Sequence, residues 1–155
     1  MMIPKLASRS VFIVVAAVLA LSLSGCADDK YVESLNPALE NFNAGLAAFN
    51  AQVDQLNQDN AVVSDPTWQS DTKSALDKLD KAGKAFASLP EAPDRLKAVD
   101  ALVKQVAFET NTVVTLYTQL INNQDMSQVD AANTHVTNLS NLVGQINDEI
   151  DKANQ

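Results

Sequence analysis

Cysteine is almost missing from this sequence: Cys26 is the only one in 155 residues. A single thiol forms no internal disulfide. It supplies neither the thiolate sets of structural zinc sites nor the paired cysteines that attach haem. Histidine is as scarce, with His135 alone. That excludes the paired Glu-x-x-His motifs by which helical bundles hold two irons, so no metal and no other cofactor is expected. Glycine is sparse too: Gly25, Gly45, Gly83 and Gly144 form no phosphate-cradling loop, and no Gly-x-Ser-x-Gly nucleophile elbow occurs. Basic residues are outnumbered, 11 Lys and Arg against 19 Asp and Glu, for a net charge of −8. Nucleic-acid phosphates would be repelled, so no nucleic-acid partner is expected. Past Leu23 no apolar run is long enough to span a bilayer.

What is present begins at the N-terminus. Lys5 and Arg9 make a short positive region, and Val11 to Leu23 is an apolar run of 13 residues interrupted only by Ser22. Such a run suits the core of a secretion signal and falls short of the roughly 18 residues of a spanning helix. It ends in Leu23-Ser24-Gly25-Cys26, which resembles the lipobox of bacterial lipoproteins. The resemblance implies a diacylglyceryl group on the Cys26 thiol and cleavage of the peptide bond before it. A single acyl chain holds a protein to a membrane only marginally, whereas two hold it stably. The expected organisation is a signal peptide over 1–25, a lipidated tether over 26–30 and one domain over 31–155. Its expected place is the cell envelope, anchored through Cys26 on the extracytoplasmic side of a bacterial membrane. Lys5 and Arg9 leave with the signal, so the mature chain carries nine basic and nineteen acidic residues, a net charge near −10.

Four segments of the mature chain have helical periodicity. In the first, apolar residues fall at Val32, Leu35, Leu39, Phe42, Leu46, Phe49, Val53 and Leu56, alternating steps of three and four. Asp65 and Pro66 read as a cap and first turn of a second helix carrying Trp68, Leu76, Leu79, Phe86 and Leu89. Pro90 and Pro93 bracket the next turn. A third seam runs Leu96, Val99, Val103, Val106, Thr110, Val113, Tyr117 and Leu120. After a polar break with Asp125 or Ser127 as caps, a fourth runs Val129, Ala132, Val136, Leu139, Val143, Ile146, Ile150 and Ala153. The spans expected are 30–62, 66–89, 93–123 and 127–153. Short connections make the fold all-α, an up-down-up-down four-helix bundle. From Trp68 onward, the Leu89-Pro90-x-x-Pro93 turn, the long Leu/Val helix, the polar turn and the final helix resemble a domain of uncharacterised bacterial lipoproteins. Members often carry histidine early in the third helix, where this chain has Asp100. The resemblance implies a helical lipoprotein and brings no catalytic residues.

Chemistry-bearing residues are few. His135 is the sole side chain suited to general-base work near neutrality, and its helical neighbours Ala131, Ala132, Asn138 and Leu139 include no carboxylate to orient it. Asp77–Lys81, Asp80–Lys84, Asp100–Lys104 and Asp148–Lys152 are i, i+4 pairs of the kind that solvate a helix face. Gly45, Gly83 and Gly144 suggest close approach of neighbouring helices. No catalytic residues are expected. The expected function is a non-catalytic binding or scaffolding module of the cell envelope, with an envelope protein as possible partner. A small-ligand or sensory helical domain is the alternative. It needs a gap or polar group in the core, for which Thr110 and the small residues near Gly83 are the candidates. For a protein partner, the tip far from the anchor gathers Val62, Val63, Trp68 and Met126, and tryptophan and methionine are enriched at interfaces.

Overall fold

A computed structural model of the chain describes residues 29–153. Helix α1 spans Asp29–Gln58, α2 Pro66–Ala87, α3 Lys97–Asn123 and α4 Val129–Ala153, and the described residues contain no strand. The fold is an all-α four-helix bundle. Close packing follows chain order, α1 on α2, α2 on α3 and α3 on α4. Each pair is antiparallel: the indole of Trp68, at the start of α2, meets Gln52 near the end of α1, and Gly83 late in α2 meets Thr110 midway along α3. Among these helices none is long and apolar enough to cross a membrane.

The seams form the core. The eight apolar positions of α1, the row from Leu96 to Leu120, and Val129 through Ile150 on α4 are all buried. Apolar area removed from water in this way is the main favourable term of folding. Large rings bridge the centre. Phe42 on α1 packs against Phe86 on α2 at 5.4 Å between centroids, and Phe49 meets Tyr117 edge-on at 4.7 Å, linking α1 to α3. Helix α2 adds a polar core position that its apolar residues conceal, Thr72, fully buried between Trp68 and Leu76.

The helix ends follow from local chemistry and differ in places from the spacing-based spans. Helix α1 stops at Gln58 instead of 62, because Asp59 takes an extended backbone and its carboxylate accepts the Ala61 N–H at 2.9 Å. A short side chain that bonds its own backbone competes with helix continuation, and a 3-10 turn over Asn60–Ser64 results. Asp65 then accepts from the Thr67 N–H at 2.7 Å and Pro66 opens α2. Helix α2 ends at Ala87, and a 3-10 turn over Asp94–Leu96 precedes α3. Gln124, with φ of 50°, closes α3 in the left-handed region, and Asp125 caps the following turn through Ser127 N–H at 2.9 Å. Pro37 lies inside α1 and denies the helix one N–H donor. The buried side chains of Leu35, Ala38 and Leu39 on both sides hold the helix against the core through that break.

Of the three glycines among the described residues, two sit where helices come close. A Cβ on Gly45 would stand 3.2 Å from the Leu79 backbone nitrogen, and one on Gly83 would stand 3.3 Å from Thr110 Cγ2. Gly144 departs from the expectation: a Cβ there would meet nothing within 4 Å, so its place on α4 has no packing cause. The charge pairs also shift in part. Asp80–Lys84 and Asp100–Lys104 close at 2.5 and 2.6 Å. Lys152 reaches Glu149 at 2.6 Å and not Asp148, and Asp77–Lys81 is not among the ion pairs of the described residues. These contacts lie at the surface, where such pairs contribute little.

Candidate interaction surfaces

The residues expected at the far tip are separated by burial. Trp68 is 3 % exposed, and its indole N–H donates to the Gln52 carbonyl at 3.0 Å. It occupies the third position of α2 and faces α1, where the large ring closes the end of the core. Val63 is buried as well, and its carbonyl accepts from the Gln69 side-chain amide at 2.8 Å. Val62 and Met126 are half-buried and pack against the core. Proximity in the fold thus gathers these side chains under the tip, with little apolar surface left outside. Cys26, the expected lipid-attachment residue, lies outside the described residues.

His135 has a partner that its own helix does not provide. Its Nδ1 lies 2.5 Å from Glu109 Oε2 on α3, and Asn138 Nδ2 donates to Glu109 Oε1 at 3.4 Å. A carboxylate oxygen accepts only, so Nδ1 carries the proton and the ring orientation is set by Glu109. The side chains are 30 % and 17 % exposed. An oriented imidazole is one element of a base–orienter pair, yet neither residue lines the grooves described below. The contact works as a clasp between α3 and α4. The two tyrosines act in the same way. Tyr31 donates to Asp100 Oδ1 at 3.2 Å, joining α1 to α3, while Lys104 holds the other oxygen of Asp100 at 2.6 Å. Tyr117 donates to Asn133 Oδ1 at 3.1 Å, joining α3 to α4. Burial pushes both phenols well above their ordinary pKa, and for Tyr31 the Asp100 charge adds to it. Both remain neutral donors throughout the physiological range.

Two grooves mark the outer surface. One, of about 390 Å³, lies between α3 and α4 and is lined by Ala98, Ala101, Leu102, Gln145, Asp148 and Lys152, among others. The other, of about 290 Å³, lies between α2 and α3. Gly83, Ala87, Ala107 and Thr110 line it, and Asp80, Lys84, Phe108 and Asn111 complete its lining. Gly83 leaves this space by lacking a side chain, and Thr110 is its neighbour across the helix pair. Thr110 is 1 % exposed, and its hydroxyl has no hydrogen-bonding partner among the described residues. A sealed, unpartnered hydroxyl is a net cost. Thr110→Val keeps the shape and removes that cost, so it should raise the unfolding free energy by about 1 kcal/mol in urea titrations. A drop in stability would show that the hydroxyl is satisfied.

The most exposed feature is one that seam spacing does not reveal. Phe108 is 68 % exposed, the one large apolar side chain so placed among the described residues. Two positions from both Val106 and Thr110, it points away from the core by helical geometry. Its signal in the sequence is an aromatic residue standing off the seam. Among the described residues no three His, Cys, Asp or Glu side chains cluster as metal ligands. No family model, curated protein or solved structure matches this chain.

Proposed function

We propose that this chain is a lipid-anchored, non-catalytic binding module of a bacterial cell envelope. In this reading residues 1–25 direct export, cleavage precedes Cys26, and acyl chains on that cysteine hold the bundle at the extracytoplasmic face of a membrane. The observation that carries it is Leu23-Ser24-Gly25-Cys26, placed directly after the apolar run and containing the only cysteine in the chain. Helix α1 begins at Asp29, so the tether between anchor and bundle is short. The non-catalytic part is supported by the employment of the reactive side chains. His135 with Glu109, Tyr31 with Asp100 and Tyr117 with Asn133 each tie two helices together.

The wild-type chain should be recovered with membranes, and its intact mass should equal residues 26–155 plus acyl groups. Cys26→Ser should leave the uncleaved precursor, without acyl mass. An unlipidated wild-type chain in the soluble fraction would refute the anchor.

A small-ligand module is the second reading, favoured by the α2–α3 groove over Thr110. The groove is open, and its volume lies at the small end of ligand sites, which bury most of their ligand. A ligand there should raise the melting temperature of the wild-type chain and leave that of a Gly83→Val variant unmoved.

A further inference from the structure

Phe108 and the α2–α3 groove lie side by side on the outer surface of the bundle. The ring stands exposed at the groove's rim. Beside it the groove offers Gly83, Ala87, Ala107 and Thr110, mostly apolar and about 290 Å³ in volume. A cavity of about 150 Å³ suffices for benzene, so the groove has volume enough for an aromatic ring. Knob and hole lie at the same level of the bundle, Phe108 being adjacent in sequence to Ala107 and one helical turn from Asn111. We propose that two copies of this chain associate through the outer side of α3, the Phe108 ring of each seated in the α2–α3 groove of the other.

This is an isologous contact, in which one patch serves both partners and the assembly closes at two. Charge points to the same surface. Two acidic copies repel wherever their carboxylates meet. From Gln105 to Asn123, α3 carries one charged residue, Glu109, and His135 of the same molecule is bound to it. At the groove, Asp80 and Lys84 are paired at 2.5 Å and bring no net charge. Thr112 and Thr115 donate their hydroxyls to the Phe108 and Asn111 carbonyls at 3.2 and 2.8 Å, so covering them orphans no donor. Helix α1 has a comparable charge-free stretch, residues 41–53, but exposes no large apolar side chain there. The interface, one ring and one helix edge per copy, belongs to the class below about 1,200 Å², where association is weak and transient. Confinement on a surface would raise the dimer population by effective concentration. The contact itself does not depend on the anchor.

Photocrosslinking tests this in cells making the full chain with p-benzoylphenylalanine at position 108. The expected product has twice the mass of the chain, with peptide mapping that joins residue 108 to the segments bearing Gly83, Ala87 or Ala107. Adding Ala87→Lys, or separately Asn111→Arg, should lower its yield at least tenfold. Both side chains are exposed, so circular dichroism should show unchanged melting for at least one of these variants. A crosslink to another protein or to lipid, no intermolecular product, or a dimer band that survives both substitutions would overturn the proposal.

Discussion

Phe49→Ala should lower the unfolding free energy by about 3–5 kcal/mol, the range for truncating a fully buried aromatic ring. Phe49 has no exposed surface and packs edge-on against Tyr117 at 4.7 Å, a geometry worth about 0.5–1.5 kcal/mol beyond area alone. Through Tyr117 it also links α1 to α3. The truncation therefore leaves a void where the two halves of the bundle meet. A domain of this size has a total stability of about 5–15 kcal/mol, so the variant should sit near its folding threshold. Urea titration should move the midpoint sharply down with little change in slope. Leu139→Ala, at an equally buried position on α4, should cost about 2–5 kcal/mol. Losses below about 0.5 kcal/mol at both positions, the size of an ordinary surface substitution, would mean that these side chains are not in the core.

Trp68→Ala should cost about as much, 3–5 kcal/mol on the same basis, and it distinguishes a core tryptophan from a docking one. With 3 % of its surface exposed and its N–H on the Gln52 carbonyl, Trp68 ties the start of α2 to α1. Trp68→Phe keeps most of the ring and removes the N–H that reaches that carbonyl, so it should cost about 1 kcal/mol from the lost bond, plus some packing. Trp68 is the only tryptophan, so native fluorescence should be blue-shifted, resist acrylamide quenching, and disappear to the red on unfolding. A stable Trp68→Ala variant with quenchable wild-type fluorescence would place the ring outside the core.

The tip illustrates why some features were legible and others were not. Aromatic and aliphatic residues near a turn are expected to be accessible because turns lie at surfaces. Position within the helix decides otherwise here: Trp68 falls on the face of α2 that meets α1, and Val63 lies in a 3-10 turn folded back on the core. Phe108 is the reverse case. Two steps from both Val106 and Thr110, it points away from the neighbouring helices, and hydrophobicity alone does not turn it inward. The pairing of His135 with Glu109 was hidden for another reason. The two are 26 residues apart on different helices, and neighbours at three and four positions say nothing about what faces them. Thr110 and Gly83 were each legible as departures from a plain apolar seam. That they meet follows only from the antiparallel register of α2 and α3.

The sequence by itself determined four helices, their buried faces and several of their ends. Steps of three and four fix a stripe on any helix. Asp65 with Pro66, and Asp125, act on their own backbones within a few residues. Leu23-Ser24-Gly25-Cys26 is equally local, a pattern carried by consecutive residues. The tertiary structure alone decided which stripes meet, how closely, and what is left uncovered. Gly45 sits tight against Leu79 while Gly144 faces open space. Tyr31 finds Asp100 across the bundle, and a groove opens over Thr110 beside an exposed Phe108. Periodicity specifies the direction in which a side chain points along its own helix. The identity and distance of what it meets depend on the register between helices, which is set by the packing of all four at once.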